Sequence, residues 1–213
     1  MIRWACGLVL ACFVFVTGAA SAAEKVPQYV GATGCKSCHK KELIGNQYGE
    51  WLDGAHHKAF ETLKSQKALD IAKERGLATP PSESDDCVKC HATSHGLTPA
   101  QIKKKPLVAA DGIQCESCHG PGSLYKKKKT MSDSKKSLAA GLWDPEKDEK
   151  ICTACHNSDS PTWDPAKGFD HKAAVEEIAH PIPEAVKGRY LEEVKERKAR
   201  GEAVEEDEED TEE

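Results

Sequence analysis

The residues of this chain best suited to chemistry are cysteines and histidines in a repeated arrangement. At four places two cysteines stand three positions apart, and a histidine follows the second cysteine directly. The four stretches are Cys35–His39, Cys87–His91, Cys115–His119 and Cys152–His156. The remaining cysteines, Cys6 and Cys12, lie near the N-terminus. The C-x-x-C-H string is the signature of covalent haem attachment.

This spacing predicts four covalently bound haem c groups, each with its iron. Two cysteines separated by two residues can both reach one porphyrin edge, and the next residue then lies under the ring, where its imidazole can bind the iron. The predicted attachment residues are Cys35, Cys38, Cys87, Cys90, Cys115, Cys118, Cys152 and Cys155. The predicted iron ligands beside them are His39, His91, His119 and His156.

Two other kinds of site use the same cysteine spacing. Structural zinc sites are built from C-x-x-C pairs, but they do not need a histidine after every second cysteine. A thioredoxin-like dithiol needs one motif in a βαβ setting, which this sequence does not offer. A zinc-stabilised interaction module remains an alternative, and a purified protein without a Soret band would favour it.

Five further histidines could supply the second axial ligand of an iron. They are His56, His57, His95, His171 and His180. An iron with two histidines can only carry electrons, whereas an iron with one could bind nitric oxide or a nitrogen oxyanion. On a helix His95 would share the face of His91, so it should not bind the same haem from the opposite side. It could still reach a neighbouring haem.

Hydrophobic periodicity predicts a mainly α, loop-rich fold with the haems as its core. Aromatic residues make up 6% of the chain and its mean hydropathy is −0.60, which is poor material for an ordinary core. The haem-free chain is therefore expected to fold poorly. No strand is predicted. Helices are predicted over 41–65 (weakened by three glycines), up to Arg75 before Gly76, over 170–180 and over 184–200, with loops over 98–113 and 120–145.

The two ends of the chain differ in character from its body. Residues 1–22 combine Arg3, a short apolar run and the sequence Ala20-Ser21-Ala22, which predicts a signal peptide cleaved near Ala22 and a periplasmic protein. A retained N-terminal anchor is the alternative; no membrane span is expected in the mature chain. Residues 23–187 are predicted to form the tetrahaem domain. Residues 188–213 are predicted to form a polar helix and a disordered acidic tail.

Two lysine clusters, Lys103–Lys105 and Lys126–Lys129, stand out in the body. They could steer an acidic redox partner, although solvated loop lysines are an equally good interpretation. Apart from Tyr125 they lack interleaved aromatic residues, so nucleic-acid binding is not expected.

Several stretches resemble the tetrahaem cytochrome c-554 family over residues 31–187. The specific ones are "WLDGAHHKAFETLK" and "GIQCESCHGPG", joined by "GCKSCHK", "DDCVKCH", "CTACH" and "FDHKAAVEEIAH". The resemblance implies a helical fold with stacked haem pairs. It also implies periplasmic electron transfer between donor and acceptor proteins, such as hydroxylamine-oxidoreductase-like enzymes or quinol-linked cytochromes. The alternative is a reductase of a small nitrogen species at an open haem.

The resemblance also implies axial ligands. His56 would be the distal ligand of the haem at Cys115–Cys118, and His180 that of the haem at Cys152–Cys155. His91 would be the sole histidine on its iron, which makes that haem the open candidate; no catalytic side chain is assigned.

This sequence departs from the family's pattern at the first haem. The family's first haem is closed by a histidine shortly after "GPG", and none follows here in "GPGSLYKKKKTMSDS". The first iron therefore takes His57, His95 or His171 instead, stays open, or binds Tyr125 or a lysine.

Overall fold

A computed structural model describes residues 25–103, 107–184, 196 and 199–201. These residues form short helices joined by loops. The described part contains no strand, only a single parallel bridge between Tyr29 and Ile102. The prediction of a mainly helical, loop-rich chain is thereby confirmed.

The α-helices are numbered here along the described chain. They are α1 Thr33–His39, α2 Gln47–Asp53, α3 Ala59–Thr62, α4 Gln66–Glu74, α5 Asp85–His91, α6 Cys115–His119, α7 Lys128–Met131, α8 Ser134–Ala139, α9 Glu149–Thr153 and α10 His171–Ile178. Single 3₁₀ turns occur at Glu42–Ile44, Pro81–Glu83, Pro99–Gln101 and Ala109–Asp111.

The single helix predicted over 41–65 is wrong, because the segment is broken into a 3₁₀ turn, α2 and α3. Gly45 and Asn46 both adopt left-handed backbone angles, and the Asn46 side chain caps α2 by accepting from the Gly49 N–H. Gly54 is extended at φ −72° and ψ 166°, which ends α2. The turn that follows carries His56 and His57.

Helices α4 and α10 confirm the helices predicted up to Arg75 and over 170–180. The Ser65 side chain accepts from the Ala68 N–H at the start of α4, and Gly76 at φ 66° follows its end. The Asp170 side chain likewise caps α10.

The loop predicted over 120–145 contains two helices, α7 and α8. Asp133 starts α8 by accepting from the Lys136 N–H, a capping signal that sequence reasoning passed over. The predicted leader, the acidic tail and nearly all of the predicted polar helix lie outside the described residues.

The apolar core of the described chain is small. Its buried hydrophobic residues are Val30, Ala32, Leu63, Ala72, Ala92, Leu107 and Tyr125, three of them alanines. Polar Gln114, Glu116 and Ser137 are among the most deeply buried side chains. None of the described helices is long and apolar enough to cross a membrane.

Candidate haem-binding site

Each C-x-x-C-H motif is built on one turn of helix. In α1, α5 and α6 the histidine is the last helical residue. In the fourth motif α9 ends at Thr153, and a helical bond from the His156 N–H to the Cys152 carbonyl at 3.0 Å continues the turn. Residues three apart on a helix share a face, so both thiols of a motif lie on one side of the backbone.

The thiols of the four motifs are free of disulfides and half-buried. Within the described chain, His, Cys, Asp and Glu form no group of three or more that could hold a metal ion. The zinc alternative requires four such ligands around one ion. Each motif offers two cysteines and one histidine, the residues that attach one haem c and bind its iron.

Cysteines of different motifs lie next to one another. The side chain of Cys115 is the main cause of the raised pKa of Cys35. Burial and then the nearby Cys152 raise the pKa of Cys118 to about 11. Burial and then the neighbouring Cys90 raise the pKa of Cys155 to about 12. The motifs therefore follow one another in space as first, third, fourth and second.

Two pairs of histidine rings face each other across a gap. The ring centres of His56 and His156 lie 6.1 Å apart with an interplanar angle of 75°. Those of His119 and His180 lie 6.0 Å apart at 86°. Burial and then the partner histidine lower the pKa of His56 and that of His119, which favours the neutral imidazole that binds metals.

This spacing fits one metal ion between two imidazoles. Two metal–nitrogen bonds of about 2 Å each and two ring half-widths of about 1 Å give roughly 6 Å between ring centres. The residues present thus fit a haem iron with two axial histidines at the third motif and at the fourth.

The pairing expected from the family resemblance is reversed in the structure. His56 was expected at the third motif, yet its ring faces His156 of the fourth. His180 was expected at the fourth motif, yet its ring faces His119 of the third. The His56 carbonyl accepts from the Ile113 N–H at 2.9 Å, so the backbone of this turn is fastened next to the third motif while its ring lies beside His156.

The proximal histidines of the first and second motifs are held by hydrogen bonds from Nδ1. His91 Nδ1 lies 2.7 Å from the Ala59 carbonyl oxygen, which α3 supplies to α5. His39 Nδ1 lies 3.3 Å from Gln47 Oε1 of α2. A donor N–H at Nδ1 leaves Nε2 as the ligating atom. Sequence reasoning missed both partners, because neither stands near its histidine in a recognisable motif.

The three remaining histidines are engaged elsewhere. His57 packs against the Trp51 ring at 4.5 Å between centroids, with Nδ1 3.3 Å from the Asp111 carbonyl. His171 Nε2 donates to the Pro145 carbonyl at 2.8 Å. His95 Nε2 lies 3.1 Å from an Asp85 carboxylate oxygen. None of them forms a facing ring pair with the histidine of the first or second motif in the described chain.

The prediction that His95 lies on the same helical face as His91 is wrong. Helix α5 ends at His91, and Ala92 is extended at φ −147° and ψ 125°. His95 therefore does not continue the face of His91. Its contact with Asp85 keeps it at the start of α5 instead.

Tyr125 is also accounted for among the candidate ligands of the first iron. Its hydroxyl donates to the Gly120 carbonyl at 2.6 Å and lies 3.0 Å from the His119 carbonyl. Burial first, then the charge of Glu116, keeps the pKa of Tyr125 far above its usual value. A buried, hydrogen-bonded phenol of this kind is a poor iron ligand.

Gly112 holds the histidine-bearing turn in place. It adopts φ 63°, and a Cβ there would overlap the carbonyl oxygens of His56 and His57. Gly76 has φ 66° but has open space where a Cβ would be. A substitution at Gly76 thus tests backbone strain alone, whereas one at Gly112 adds a clash with the turn that carries His56 and His57.

Replacing Gly112 by alanine is expected to destabilise the haem-loaded protein by clearly more than the roughly 1 kcal/mol expected for Gly76→Ala. Denaturant unfolding of both variants measures this difference. Displacement of His56 should also add a high-spin signal in Gly112→Ala alone. Equal stability and identical spectra for the two variants would contradict this role of Gly112.

Comparison with known proteins agrees with the chemistry of these motifs. A family model described as cytochrome c554 and c-prime matches residues 34–120. Cytochrome c-554 of Nitrosomonas europaea is 34% identical over 181 residues, which cover 76% of this chain and 72% of that protein. The chain belongs to the cytochrome c-554 family. No solved structure matches it significantly.

Membership in the cytochrome c-554 family makes the chain a c-type cytochrome, an electron carrier with covalently bound haem c. The sequence-based recognition of this family is confirmed. The family model ends at residue 120, so it includes the first three C-x-x-C-H motifs and leaves out the fourth.

Proposed function

We propose that the chain is a periplasmic tetrahaem cytochrome that passes electrons between redox partner proteins. Each C-x-x-C-H motif attaches one haem c through its two cysteines and binds the iron through its histidine. Haem iron, when bound, supplies a one-electron couple whose potential depends on axial ligands, hydrogen bonds and burial. The domain spans 23–187, preceded by a signal peptide over 1–22 and followed by a polar, acidic segment over 188–213.

The observation that carries this proposal is the facing of His56 with His156 and of His180 with His119 at metal-bridging distance. Two unrelated loops place an imidazole opposite a motif histidine at nearly the same spacing. Two axial histidines leave an iron no free position, which suits electron transfer rather than substrate binding. The adjacent cysteines support close spacing of the attachment points.

Mass spectrometry of the exported protein tests the cofactor count. We expect the mass of the mature polypeptide plus four haem c groups, and a reductive titration that takes up four electrons per chain. The variant Cys152→Ala/Cys155→Ala should lose one haem. A wild-type protein with fewer than four haems, or without a Soret band, would contradict the proposal.

The partners are proposed to be acidic redox proteins, docking near the Lys126–Lys129 cluster. Lys127 and Lys129 of this cluster are exposed to solvent. Exposed positive charge accelerates encounters with an acidic partner, and salt weakens that effect. Part of the other cluster, Lys103–Lys105, lies outside the described residues.

A second candidate function is the binding and reduction of a small nitrogen species at an iron with one histidine. The observation favouring it is that His39 and His91 have no facing histidine in the described chain, while the other two motif histidines do. Nitric oxide is a ligand suited to such a position. Tyr125, one of the non-histidine candidates, is hydrogen-bonded elsewhere.

Titration with nitric oxide, followed by EPR, measures how many irons are open. We expect two equivalents of nitric oxide per chain, with loss of the high-spin ferric signals. One equivalent would mean that a lysine or another side chain closes the first iron. No binding would contradict this second function and leave only the carrier.

A further inference from the structure

Glu116 is a charged residue that neither the attachment chemistry nor the axial ligands use. It is the first of the two residues between Cys115 and Cys118, and its side chain is 0% exposed. A buried carboxylate is costly unless it is hydrogen-bonded. Its position between two haem-attaching cysteines therefore calls for a physical explanation.

The Glu116 carboxylate is held by backbone N–H groups of two loops. Oε2 accepts from the Gly31 N–H at 2.7 Å, and both oxygens lie within 3.0 Å of the Val30 nitrogen. Oε1 also accepts from the Gly122 N–H at 2.7 Å. All these partners are donors, so a proton on the carboxyl would point its O–H at an N–H. The arrangement holds the side chain as an anion.

The charge of Glu116 acts on the cysteines of two motifs. The Cys115 side chain and burial are the main causes of the raised pKa of Cys35, and the Glu116 charge adds to it. The same charge acts to raise the pKa of Cys115, against the stronger lowering by Cys35. The pKa values of Cys152 and Cys155, in the fourth motif, are raised first by burial.

We propose that Glu116 is a fixed buried anion that lowers the reduction potentials of the haem groups attached at the first and third motifs. The inference rests on the proposed attachment of haem at all four motifs. An anion favours the more positive, ferric state of an iron, and burial leaves its field weakly screened. Since Cys35 and Cys115 are neighbours, one carboxylate acts on both groups.

The positive charge of Lys126 opposes the negative charge of Glu116. Lys126 follows Tyr125 in the loop after the third motif. Burial raises the pKa of Glu116, while the N–H donors and then the Lys126 charge act against that rise. Lys126 also acts to lower the pKa of Cys35. Its removal should therefore shift the same two potentials in the opposite direction.

Gln114 supplies a matched control without charge. It is 2% exposed, and its Oε1 accepts from the Ala32 N–H at 2.8 Å, the next residue after those bound by Glu116. Gln114 and Glu116 thus fasten the same loop to the third motif. A variant that breaks the Gln114 contact loosens the loop but leaves every charge in place.

The experiment is a redox titration of the haem-loaded protein, resolved for individual haems by NMR of the shifted haem methyl resonances. Glu116→Gln is expected to raise the first and third potentials and to leave the second and fourth unchanged. Gln114→Met should lower stability without moving any potential. Haem content of the same samples tests the proposed function separately, because a preparation with fewer than four haems contradicts that function, not the role of Glu116.

Unchanged potentials in Glu116→Gln, or equal shifts in Gln114→Met, would overturn the inference in favour of a structural role. If Glu116→Gln does not fold, Lys126→Gln decides: lower first and third potentials support the inference, and unchanged ones overturn it.

Discussion

Replacing His56 by alanine is expected to turn one low-spin iron into a high-spin iron, at the fourth motif. The ring of His56 lies opposite that of His156 with 6.1 Å between centres, so its removal opens the second axial position there. His180→Ala should have the same effect at the third motif, opposite His119. Each variant should gain one high-spin ferric signal in EPR and bind one more nitric oxide than the wild type.

The position of the affected iron tests the pairing. Phe169 stacks on His156 with 5.4 Å between ring centroids, so its NMR signals should broaden most in His56→Ala. The backbone N–H of Trp143 donates to the His119 carbonyl at 3.0 Å, so the NMR signals of Trp143 should broaden most in His180→Ala. The opposite assignment would restore the pairing implied by family resemblance.

His171→Ala is the matched control for both variants. His171 is also a part-buried histidine, and its Nε2 donates to the carbonyl of Pro145 in a loop. It has no facing histidine ring in the structure described here. We expect an unchanged spin state, and a new high-spin signal would show that His171 binds an iron.

The second large effect is expected from removal of haem. A chain produced without haem attachment should lack a cooperative unfolding transition, because its described part buries few apolar side chains. Large apolar residues such as Leu43, Leu52 and Trp143 are more than 40% exposed on the polypeptide. The flat apolar faces of the haem groups are expected to cover such side chains and to stabilise the folded chain.

Circular dichroism and limited proteolysis compare the haem-free and haem-loaded chains. The haem-free chain should lose its helical signal gradually on heating and be cut throughout residues 25–184. The haem-loaded chain should melt in one transition and resist cleavage. A cooperative transition in the haem-free chain would mean that the polypeptide core is sufficient alone.

The sequence predicted the helices whose boundary signals are local, and it failed where a helix is broken by tertiary contacts. Gly76 marked the end of α4, and Ser65 and Asp170 cap α4 and α10 through hydrogen bonds within a few residues. The break between α2 and α3 was missed, because the turn after Gly54 is held by the Ile113 N–H and lies close to Gly112, both far along the chain. Long-range backbone contacts leave no periodic signal in sequence.

The proposed attachment residues stand out in the sequence because their spacing is a chemical requirement within five residues. The axial partners were harder, because His56 and His180 reach their facing rings from distant loops. Family resemblance pointed to His56 and His180, and the structure places their rings beside those of His156 and His119, the other way round from the implied pairing. The burial of Glu116 was not predicted, since a glutamate between two motif cysteines is expected at the surface.

The spatial order of the motifs differs from their order along the chain, and this bears on synthesis. Cys35 finds its neighbour in Cys115 and Cys90 finds its neighbour in Cys155, each about 65 or more residues later in the sequence. A chain that emerges from its N-terminus first must therefore hold its first two motifs without their neighbours until the last two have emerged. The second motif gains its neighbour only when Cys155 has emerged, so the finished arrangement cannot form before then.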